Sequence, residues 1–337
     1  MATPDSLYEA VSAEAASVLV GNEHVIEELT VALLTDGHVL LEGVPGVAKT
    51  TIAKLFAWTL GVDFRRVQMT PDLMPADITG TKIYRQATDE FETKRGPIFT
   101  NLVMVDEINR STPKTQSALL EAMEEEQVTI EGQTLPLPDP FMIIATMNPI
   151  DMEGTFSLPE AQRDRFQLKL TVDIPPRDLE NELYARFDET PALGPEQTEQ
   201  VVAPDEIFSA KAAVDDVYVD ASIREYILDI VEGTRDSADT AHGASPRAGI
   251  HLLEASKALA AIRGRDYVIP DDPKAMSESV LAHRLVLSTD AKLSEVDPKA
   301  IVEETLRTVT PPTHDDVVRA ADAVSDGGST TDFDDSN

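Results

Sequence analysis

Residues 42–51 have the spacing of a phosphate-binding loop. Gly43 and Gly46 leave room for the backbone to approach phosphate groups, so that successive N–H groups and the start of a following helix can point at the anion. Lys49 can reach the β- and γ-phosphates of a nucleotide, and Thr50 can offer its hydroxyl to Mg²⁺. The residues expected to contact the nucleotide are Gly43, Val44, Pro45, Gly46, Val47, Ala48, Lys49, Thr50 and Thr51.

The sequence on both sides of this loop supports the prediction. The apolar run 39–41 predicts a buried strand, and residues 52–60 predict a helix that ends at Gly61. A strand, a glycine-containing loop and a helix in this order form the Walker A arrangement. Ala48 stands where such loops usually have glycine, and a chance glycine turn is the alternative. The flanking strand and helix favour the nucleotide site.

Two acids end a second apolar run. Residues 101–105 predict a buried strand, which delivers Asp106 and Glu107 at its carboxyl end. Asp106 is expected to hold Mg²⁺, and Glu107 to orient and polarise the attacking water, as in a Walker B motif. Solvated acids at a strand end are the alternative, but a phosphate loop upstream makes it the weaker one. A further strand over 141–146 leads to Asn148, whose amide can hold the same water beside Glu107.

Charge limits the classes of partner. The chain of 337 residues has 61 acidic and 28 basic residues, which gives a formal net charge of −33. Nucleic acids are bound by basic surfaces, so this balance argues against a nucleic-acid partner. Acids spread along the whole chain suit a salt-rich cytoplasm, in which their repulsion is screened. A halophilic source is one interpretation, and an acidic protein from an ordinary source is the other.

Composition also limits the chemistry. The chain has no cysteine, which excludes disulfide and thiolate chemistry, and its six histidines have no metal-ligand spacing. Mg²⁺ bound with the nucleotide is the metal that we expect. The amino terminus has no signal-peptide pattern, and no apolar run approaches the length of a membrane span. We therefore expect a cytoplasmic protein without direct membrane insertion.

The remaining elements of the first half include two hairpins and an arginine pair. Polar turns that follow residues 83–84 and 128–130 predict the two β-hairpins. Arg163 and Arg165 come just before a predicted edge strand over 167–172. Two arginines at such a place are usually surface charges, but in a chain this poor in bases they suggest a function.

After a proline pair at 175–176, the sequence predicts helices. Ser245 is expected to cap one of them, which places Arg247 in its first turn. Arg247 could there fold over a nucleotide, and a surface arginine paired with an acid is the alternative. His283 and Arg284 are predicted to lie on a helix surface.

Several motifs together carry a family resemblance. They are LEGVPGVAKT (41–50), VDEINR (105–110) with TPKTQ (112–116), ATMNP (145–149), LPEAQ (158–162), DRF (164–166) and GASPR (243–247). With them the chain resembles the MoxR family of AAA+ ATPases over roughly residues 18–290, and this family shares the alanine at position 48. By this resemblance Asn148 matches sensor 1, Arg165 the arginine finger and Arg247 sensor 2. Arg163 stands where the family usually has an apolar residue, so it is the alternative finger.

The resemblance implies a fold and an assembly. The fold is an α/β P-loop AAA+ core with a parallel five-stranded sheet, inserted β-hairpins and an all-helical C-terminal lid domain. We assign residues 1–175 to the core and 176–323 to the lid, and we expect a disordered acidic tail over 324–337. The resemblance also implies a hexameric ring, chaperone-like remodelling of a client protein or complex, and partners with von Willebrand factor A domains.

ATP hydrolysis by water is the predicted reaction, with the protein supplying position and electrostatic stabilisation. Three alternatives stay open: a motor subunit of a metal-chelatase-like complex, a nucleic-acid-translocating AAA+ ATPase, and a nucleotide-binding scaffold without turnover. The predicted hairpin over 127–137 has no lysine or arginine, which argues against translocation on nucleic acid. The complete set of Lys49, Asp106, Glu107 and Asn148 argues against a scaffold.

Overall fold

The computed structural model describes residues 3–87, 89–148, 156 and 158–313. The chain forms two compact units, which divide between Ala212 and Ala213. The acidic tail predicted over 324–337 lies outside the described residues, as do residues 149–155 after Asn148.

Helices and strands alternate through the first half of the chain, and helices dominate after residue 171. The helices are α1 (Pro4–Ala16), α2 (Glu23–Leu34), α3 (Lys49–Thr59), α4 (Pro75–Thr79), α5 (Pro113–Glu125), α6 (Glu160–Arg163), α7 (Arg177–Glu189), α8 (Pro204–Asp215), α9 (Ala221–Asp236), α10 (Pro246–Ile262), α11 (Asp271–Leu281), α12 (Thr289–Leu293) and α13 (Pro298–Thr308). The strands are β1 (Val39–Glu42), β2 (Phe64–Gln68), β3 (Gly80–Arg85), β4 (Glu90–Arg95), β5 (Leu102–Asp106), β6 (Gln127–Ile130), β7 (Gln133–Pro136), β8 (Met142–Met147), β9 (Leu168–Thr171), β10 (Thr240–His242) and β11 (Val286–Leu287).

The first unit is built on a parallel five-stranded sheet with the strand order β2-β5-β8-β1-β9. β5 is buried along its whole length, and β8 is buried up to its last residue. Such apolar runs are typical of central strands that are covered on both faces. Leu40, Val105 and Ile143 of the sheet pack with Leu119 of α5 in the core. The predicted α/β class is confirmed, and the carboxyl ends of the parallel strands lie along one edge.

Both predicted hairpins are present in the first unit. β3 pairs with β4, and β6 pairs with β7, each in the antiparallel sense. At the base of the first hairpin, Gly80 has a φ of 102°, which a residue with a side chain rarely adopts. A Cβ on Gly96 would lie 2.1 Å from the carbonyl oxygen of Ile78. The base of this hairpin therefore needs glycine where β3 begins and directly after β4 ends.

Residues 176–212 belong to the first unit. Arg186 of α7 donates to the carbonyl oxygen of Ala16 at 2.7 Å. The backbone N–H of Val201 donates to the carbonyl oxygen of Thr59 at 2.9 Å. These contacts attach the segment to α1 and α3. The domain boundary after residue 175 stays a prediction. The first compact unit continues past that residue to Ala212.

Trp58, the single tryptophan of the chain, lies in the last turn of α3 with 44% of its surface exposed. It lines a cavity of 360 Å³ together with Gly61, Phe64, Thr198 and Gln200. The helix that starts at the phosphate loop therefore ends in a half-exposed indole.

The second unit is mainly helical, as predicted. Its buried side chains include Ile230 of α9, Leu252 and Leu259 of α10, and Val280 of α11. A two-stranded antiparallel ladder of β10 and β11 is an addition to the expected all-helical lid. Strands of three and two residues are too short to leave a period-two pattern in a sequence. In the described parts of both units, no helix has the length and apolar character that a membrane span requires.

His283 and Arg284 are buried, with 5% and 7% of their surfaces exposed, so the prediction of surface positions is wrong. A 3-10 turn follows α11 and carries both residues, so they leave the α-helical periodicity on which that prediction rested. Arg284 contacts the imidazole of His251 and the carbonyl oxygen of Val280.

Candidate nucleotide site

The phosphate loop connects β1 to α3, which begins at Lys49. Gly46 and Ala48 have left-handed φ angles of 89° and 66°. Left-handed and right-handed residues in succession form the backbone concavities that bind anions. A Cβ on Gly43 would lie 2.6 Å from the carbonyl oxygen of Val172, so glycine alone fits at that position.

Lys49 turns back onto its own loop. Its Nζ donates to the carbonyl oxygen of Gly43 and, at 2.9 Å, to that of Val44. Partial burial lowers the pKa of the Lys49 ammonium, and the carboxylates of Asp106 and Glu107 act in the opposite direction. A phosphate is a stronger acceptor for an ammonium group than a neutral carbonyl oxygen. Lys49 is thus ready to exchange these carbonyl partners for phosphate.

Asp106 and Glu107 lie where β5 ends. Asp106 is 7% exposed, and its Oδ1 accepts a hydrogen bond from the hydroxyl of Thr146 at 2.9 Å. The same Thr146 oxygen accepts from the backbone N–H of Glu107 at 2.9 Å. Glu107 has a left-handed φ of 56°, which turns the chain out of the strand direction. Thr146 of β8, to which the sequence analysis gave no role, therefore fixes the two acids relative to each other.

Two further residues at this edge were not predicted. Arg66 and Gln68 lie on β2, the strand next to β5. Arg66 Nε donates to Oδ2 of Asp106 at 2.7 Å, and Gln68 Nε2 donates to Oε2 of Glu107 at 3.1 Å. Arg66 and Gln68 are two residues apart at the end of β2, and this spacing was the available signal, because residues two apart in a strand face the same side.

Six of the nine predicted nucleotide residues meet the acids and Asn148 at one cavity of 410 Å³. It is lined by Pro45, Gly46, Ala48, Lys49, Thr50, Thr51, Arg66, Gln68, Asp106, Glu107, Thr146, Met147 and Asn148. Gly43, Val44 and Val47 belong to the same loop without lining the cavity. A threonine hydroxyl and a carboxylate are the oxygen ligands that Mg²⁺ prefers, and the loop with its lysine suits phosphates. The residues present therefore fit a nucleoside triphosphate with Mg²⁺.

A buried glutamine fixes the turn that follows the acids. Gln116 of α5 donates from Nε2 to the carbonyl oxygens of Ile108 at 3.1 Å and Ser111 at 3.2 Å. Thr112 caps α5, since its hydroxyl accepts from the backbone N–H of Thr115 at 3.4 Å. Helix α5 therefore starts close to the acids.

Arg165 lies near the other end of α5 and does not line the nucleotide cavity. Its Nη1 donates to the carbonyl oxygen of Leu120 at 2.5 Å, and its Nη2 pairs with Glu124 at 2.9 Å. Both partners belong to α5. Arg163, the alternative finger, is the last residue of α6. The structure thus separates Arg165 from the residues that surround the phosphate loop of the same chain.

Arg247 is exposed in the first turn of α10, in the second unit. The predicted cap of this helix is confirmed, because the Ser245 hydroxyl accepts from the backbone N–H of Ala248 at 3.2 Å. The sensor 2 role of Arg247 stays a prediction.

Comparisons with known proteins address the family. The model of the ATPase family associated with various cellular activities (AAA) matches residues 38–168, and that of the AAA lid domain matches residues 232–305. "Chaperone MoxR1" of Mycobacterium tuberculosis is 43% identical over 308 residues, which cover 89% of this chain and 81% of that protein. "Uncharacterized protein YeaC" of Bacillus subtilis is 45% identical over 302 residues, which cover 90% and 94% of the two chains.

A solved structure extends the similarity to the fold. The crystal structure of a protein from Cytophaga hutchinsonii has a TM-score of 0.85 with this chain and is 38% identical to it. The match covers 92% of this chain and 96% of that one, so it includes both units. The matched models, the identity over most of the length and the loop geometry lead to one assignment. The chain belongs to the MoxR family of AAA+ ATPases.

Proposed function

We propose that this ATPase requires Mg²⁺ and uses ATP hydrolysis to remodel or mature partner proteins in a chaperone-like role. The observation that carries the proposal is the meeting of Lys49, Thr50, Asp106, Glu107 and Asn148 at one cavity. The similarity to a relative named as a chaperone supports the action on client proteins.

Each of these residues has a role in the proposal. Lys49 binds the β- and γ-phosphates, and Thr50 and Asp106 hold Mg²⁺, which neutralises phosphate charge when it is bound. Glu107 orients and polarises the attacking water, and Asn148 holds the same water from the neighbouring strand. No covalent intermediate forms, since the protein contributes position and electrostatic stabilisation.

The proposal includes a ring, for which six subunits are expected from the family. Arg165 does not line the cavity of its own chain, which supports an action on the ATP of a neighbouring subunit. A contact of this kind is head-to-tail, and repeated head-to-tail contacts close into a ring. Arg247 of the lid would act on the nucleotide of its own subunit.

The catalytic part is tested with Glu107→Gln, which keeps size and hydrogen bonding and removes the charge. We expect this variant to bind Mg²⁺-ATP and to lose hydrolysis by about 10²-fold or more, the contribution of a positioned base. Glu9→Gln, at an exposed position of α1, is the matched control and should turn over like the wild type. Lys49→Ala should lose nucleotide binding itself. Normal turnover in Glu107→Gln, or normal ATP binding in Lys49→Ala, would reject these roles.

The partner is tested by capture. Glu107→Gln loaded with ATP should retain a client or a protein with a von Willebrand factor A domain, whereas Lys49→Ala should not. Capture of a chelatase subunit would support the motor alternative instead. Capture of nucleic acid would support translocation, against which the lack of basic residues in 127–137 argues.

A further inference from the structure

Arg66 occupies an unusual place in the nucleotide cavity. It lies on the edge strand β2, and its side chain reaches the carboxylate at the end of the adjacent strand. Its Nε donates to Oδ2 of Asp106 at 2.7 Å, and its Nη2 donates to Oε1 of Gln68 at 3.1 Å. Gln68 in turn donates to Glu107 at 3.1 Å. One arginine is thus connected to both acids of the site.

The two carboxylate oxygens of Asp106 have different partners. Oδ1 accepts from the Thr146 hydroxyl, which is fixed in β8. Oδ2 faces the guanidinium of Arg66. Thr146 is buried, whereas the Arg66 side chain is 48% exposed and can move into solvent. Of the two partners, the arginine is therefore the one that can leave.

A cation that uses Asp106 competes with this guanidinium. The arginine and Mg²⁺ need the same negative charge, and two cations at one carboxylate repel each other. The exchange requires no change in the fold, because the exposed side chain of Arg66 has only to rotate away.

We infer that Arg66 is a positioning residue that holds Asp106 in the absence of metal and is displaced when Mg²⁺-nucleotide binds. It thereby raises the Mg²⁺ concentration that nucleotide binding requires. The inference rests on the proposed function, in which Asp106 holds Mg²⁺. It gives the cavity a rest state, in which Asp106, the acid that would hold Mg²⁺, is paired with a side chain of the same chain.

The test measures binding rather than turnover. A fluorescent ATP analogue at fixed concentration is titrated with Mg²⁺ at constant ionic strength, and the midpoint is compared among the wild type, Arg66→Gln, Arg66→Lys and Arg65→Gln. Arg65 is the matched control, because it is exposed on the same strand with its side chain on the opposite face. Its removal changes the net charge by the same amount.

We expect the Mg²⁺ midpoint of Arg66→Gln to fall roughly 3- to 10-fold, the scale of one partly exposed charge-assisted contact. Arg66→Lys, which keeps the charge and loses the planar fork, should lie between Arg66→Gln and the wild type. Arg65→Gln should keep the wild-type midpoint.

Two outcomes would reject the inferred role of Arg66, and a third would reject the proposed function. If Arg66→Gln and Arg65→Gln have equal Mg²⁺ midpoints and the wild type responds normally to Mg²⁺, the role of Arg66 is rejected and the proposed function is not. A higher midpoint in Arg66→Gln would also reject this role and would make Arg66 a direct ligand of the phosphates. Wild-type binding that does not respond to Mg²⁺ at all would reject the proposed function itself.

Discussion

Two arginine–carboxylate pairs of the first unit invite comparison. Arg66 pairs with Asp106 inside the nucleotide cavity, where it also contacts Gln68 of its own strand. Arg165 pairs with Glu124 outside that cavity, and its second contact is a backbone carbonyl oxygen of α5. In the first pair the carboxylate is the predicted Mg²⁺ ligand, and in the second pair the arginine is the predicted finger.

The comparison separates a site that one chain can form by itself from a contact that needs a second subunit. The acid of the first pair already has the phosphate loop beside it, so in the exchange inferred above a nucleotide with Mg²⁺ replaces Arg66 within one chain. The cavity around Arg165 does not include the phosphate loop of the same chain. In the proposed finger role Arg165 acts on an ATP bound elsewhere, and a neighbouring subunit can supply that ATP. Substitutions in the two pairs should therefore act at different levels, within one subunit and between subunits.

The largest effect is expected from Arg165→Ala. This variant should bind ATP normally and hydrolyse it on the order of 10³-fold more slowly, the scale of an arginine finger in other phosphoryl-transfer systems. Binding is measured with a fluorescent ATP analogue and turnover by phosphate release. A variant that keeps the wild-type rate would remove Arg165 from the reaction.

Mixing two inactive variants tests whether Arg165 acts between subunits. Lys49→Ala protein keeps its Arg165 but cannot use nucleotide, and Arg165→Ala protein has the opposite defect. If subunits exchange, some interfaces combine an intact phosphate loop with an intact arginine, and activity should partly recover. Mixed rings without activity at any ratio would indicate that Arg165 acts within its own chain, or that Arg163 is the finger.

The next effect concerns the helix that carries the partners of Arg165. His38 supports the end of α5, since its Nε2 donates to the carbonyl oxygen of Met123 at 3.1 Å. Its Nδ1 accepts from the backbone N–H of Ile143 at 3.1 Å, so the neutral ring is the form that fits. Burial lowers the pKa of His38 from 6.5 to about 4.

This lowered pKa fixes the sign of a pH effect on stability. The unfolded chain binds the proton near pH 6.5 and the folded chain near pH 4, so stability falls as the pH decreases between these values. The loss of unfolding free energy should approach about 3 kcal/mol near pH 4, because each unit of pKa difference corresponds to about 1.36 kcal/mol. Urea unfolding of the wild type and of the non-titrating His38→Gln, from pH 8 to pH 4, measures the difference. Parallel curves for the two proteins would show that His38 is not held neutral.

A smaller effect is expected from Glu124→Gln, which releases Arg165 from its ion pair. A partly exposed pair of this kind contributes about 0–1 kcal/mol, so ATP turnover at limiting protein concentration should rise by about 2- to 5-fold. Glu121→Gln is the matched control, because Glu121 lines the same cavity around Arg165. A fall in turnover specific to Glu124→Gln would instead show that Glu124 positions the arginine for its neighbour.

Salt should have the smallest effect. The sign of the change in melting temperature shows whether local ion pairs or the total charge of the chain dominates. Salt weakens partly exposed ion pairs such as those of Arg66 and Arg165, but it also screens the repulsion within a chain of net charge −33. The Debye length decreases from about 8 Å at physiological ionic strength to about 3 Å at 1 M. The repulsion involves many more charges, so we expect the melting temperature and ring assembly to increase with KCl. A melting temperature that decreases steadily would contradict the salt-adapted interpretation.

The buried strands and the phosphate loop could be predicted from the sequence, because each is formed by residues that are adjacent in the sequence. The apolar runs that became β1, β5 and β8 are continuous, and Gly43, Gly46 and Lys49 are fixed by local spacing. Ser245 was recognised as an N-cap for the same reason.

Contacts between strands could not be predicted in this way. The pairing of Arg66 with Asp106 depends on β2 lying next to β5, and a single sequence does not state the order of strands in a sheet. Thr146 reaches Asp106 across another pair of neighbouring strands, β8 and β5. Arg284 was misplaced because α11 gives way to a 3-10 turn, at which helical periodicity no longer applies.

The single Trp58 gives the wild-type chain a built-in optical reporter. Its indole lies in the last turn of α3, the helix that begins at Lys49, and it is half exposed beside Thr198 and Gln200. Emission from this one fluorophore therefore has a single structural origin, without overlap from a second tryptophan. Because the chain also contains no cysteine, one introduced thiol would carry an acceptor dye at a unique position. Energy transfer between the two could follow subunit exchange directly, before any ATP is hydrolysed.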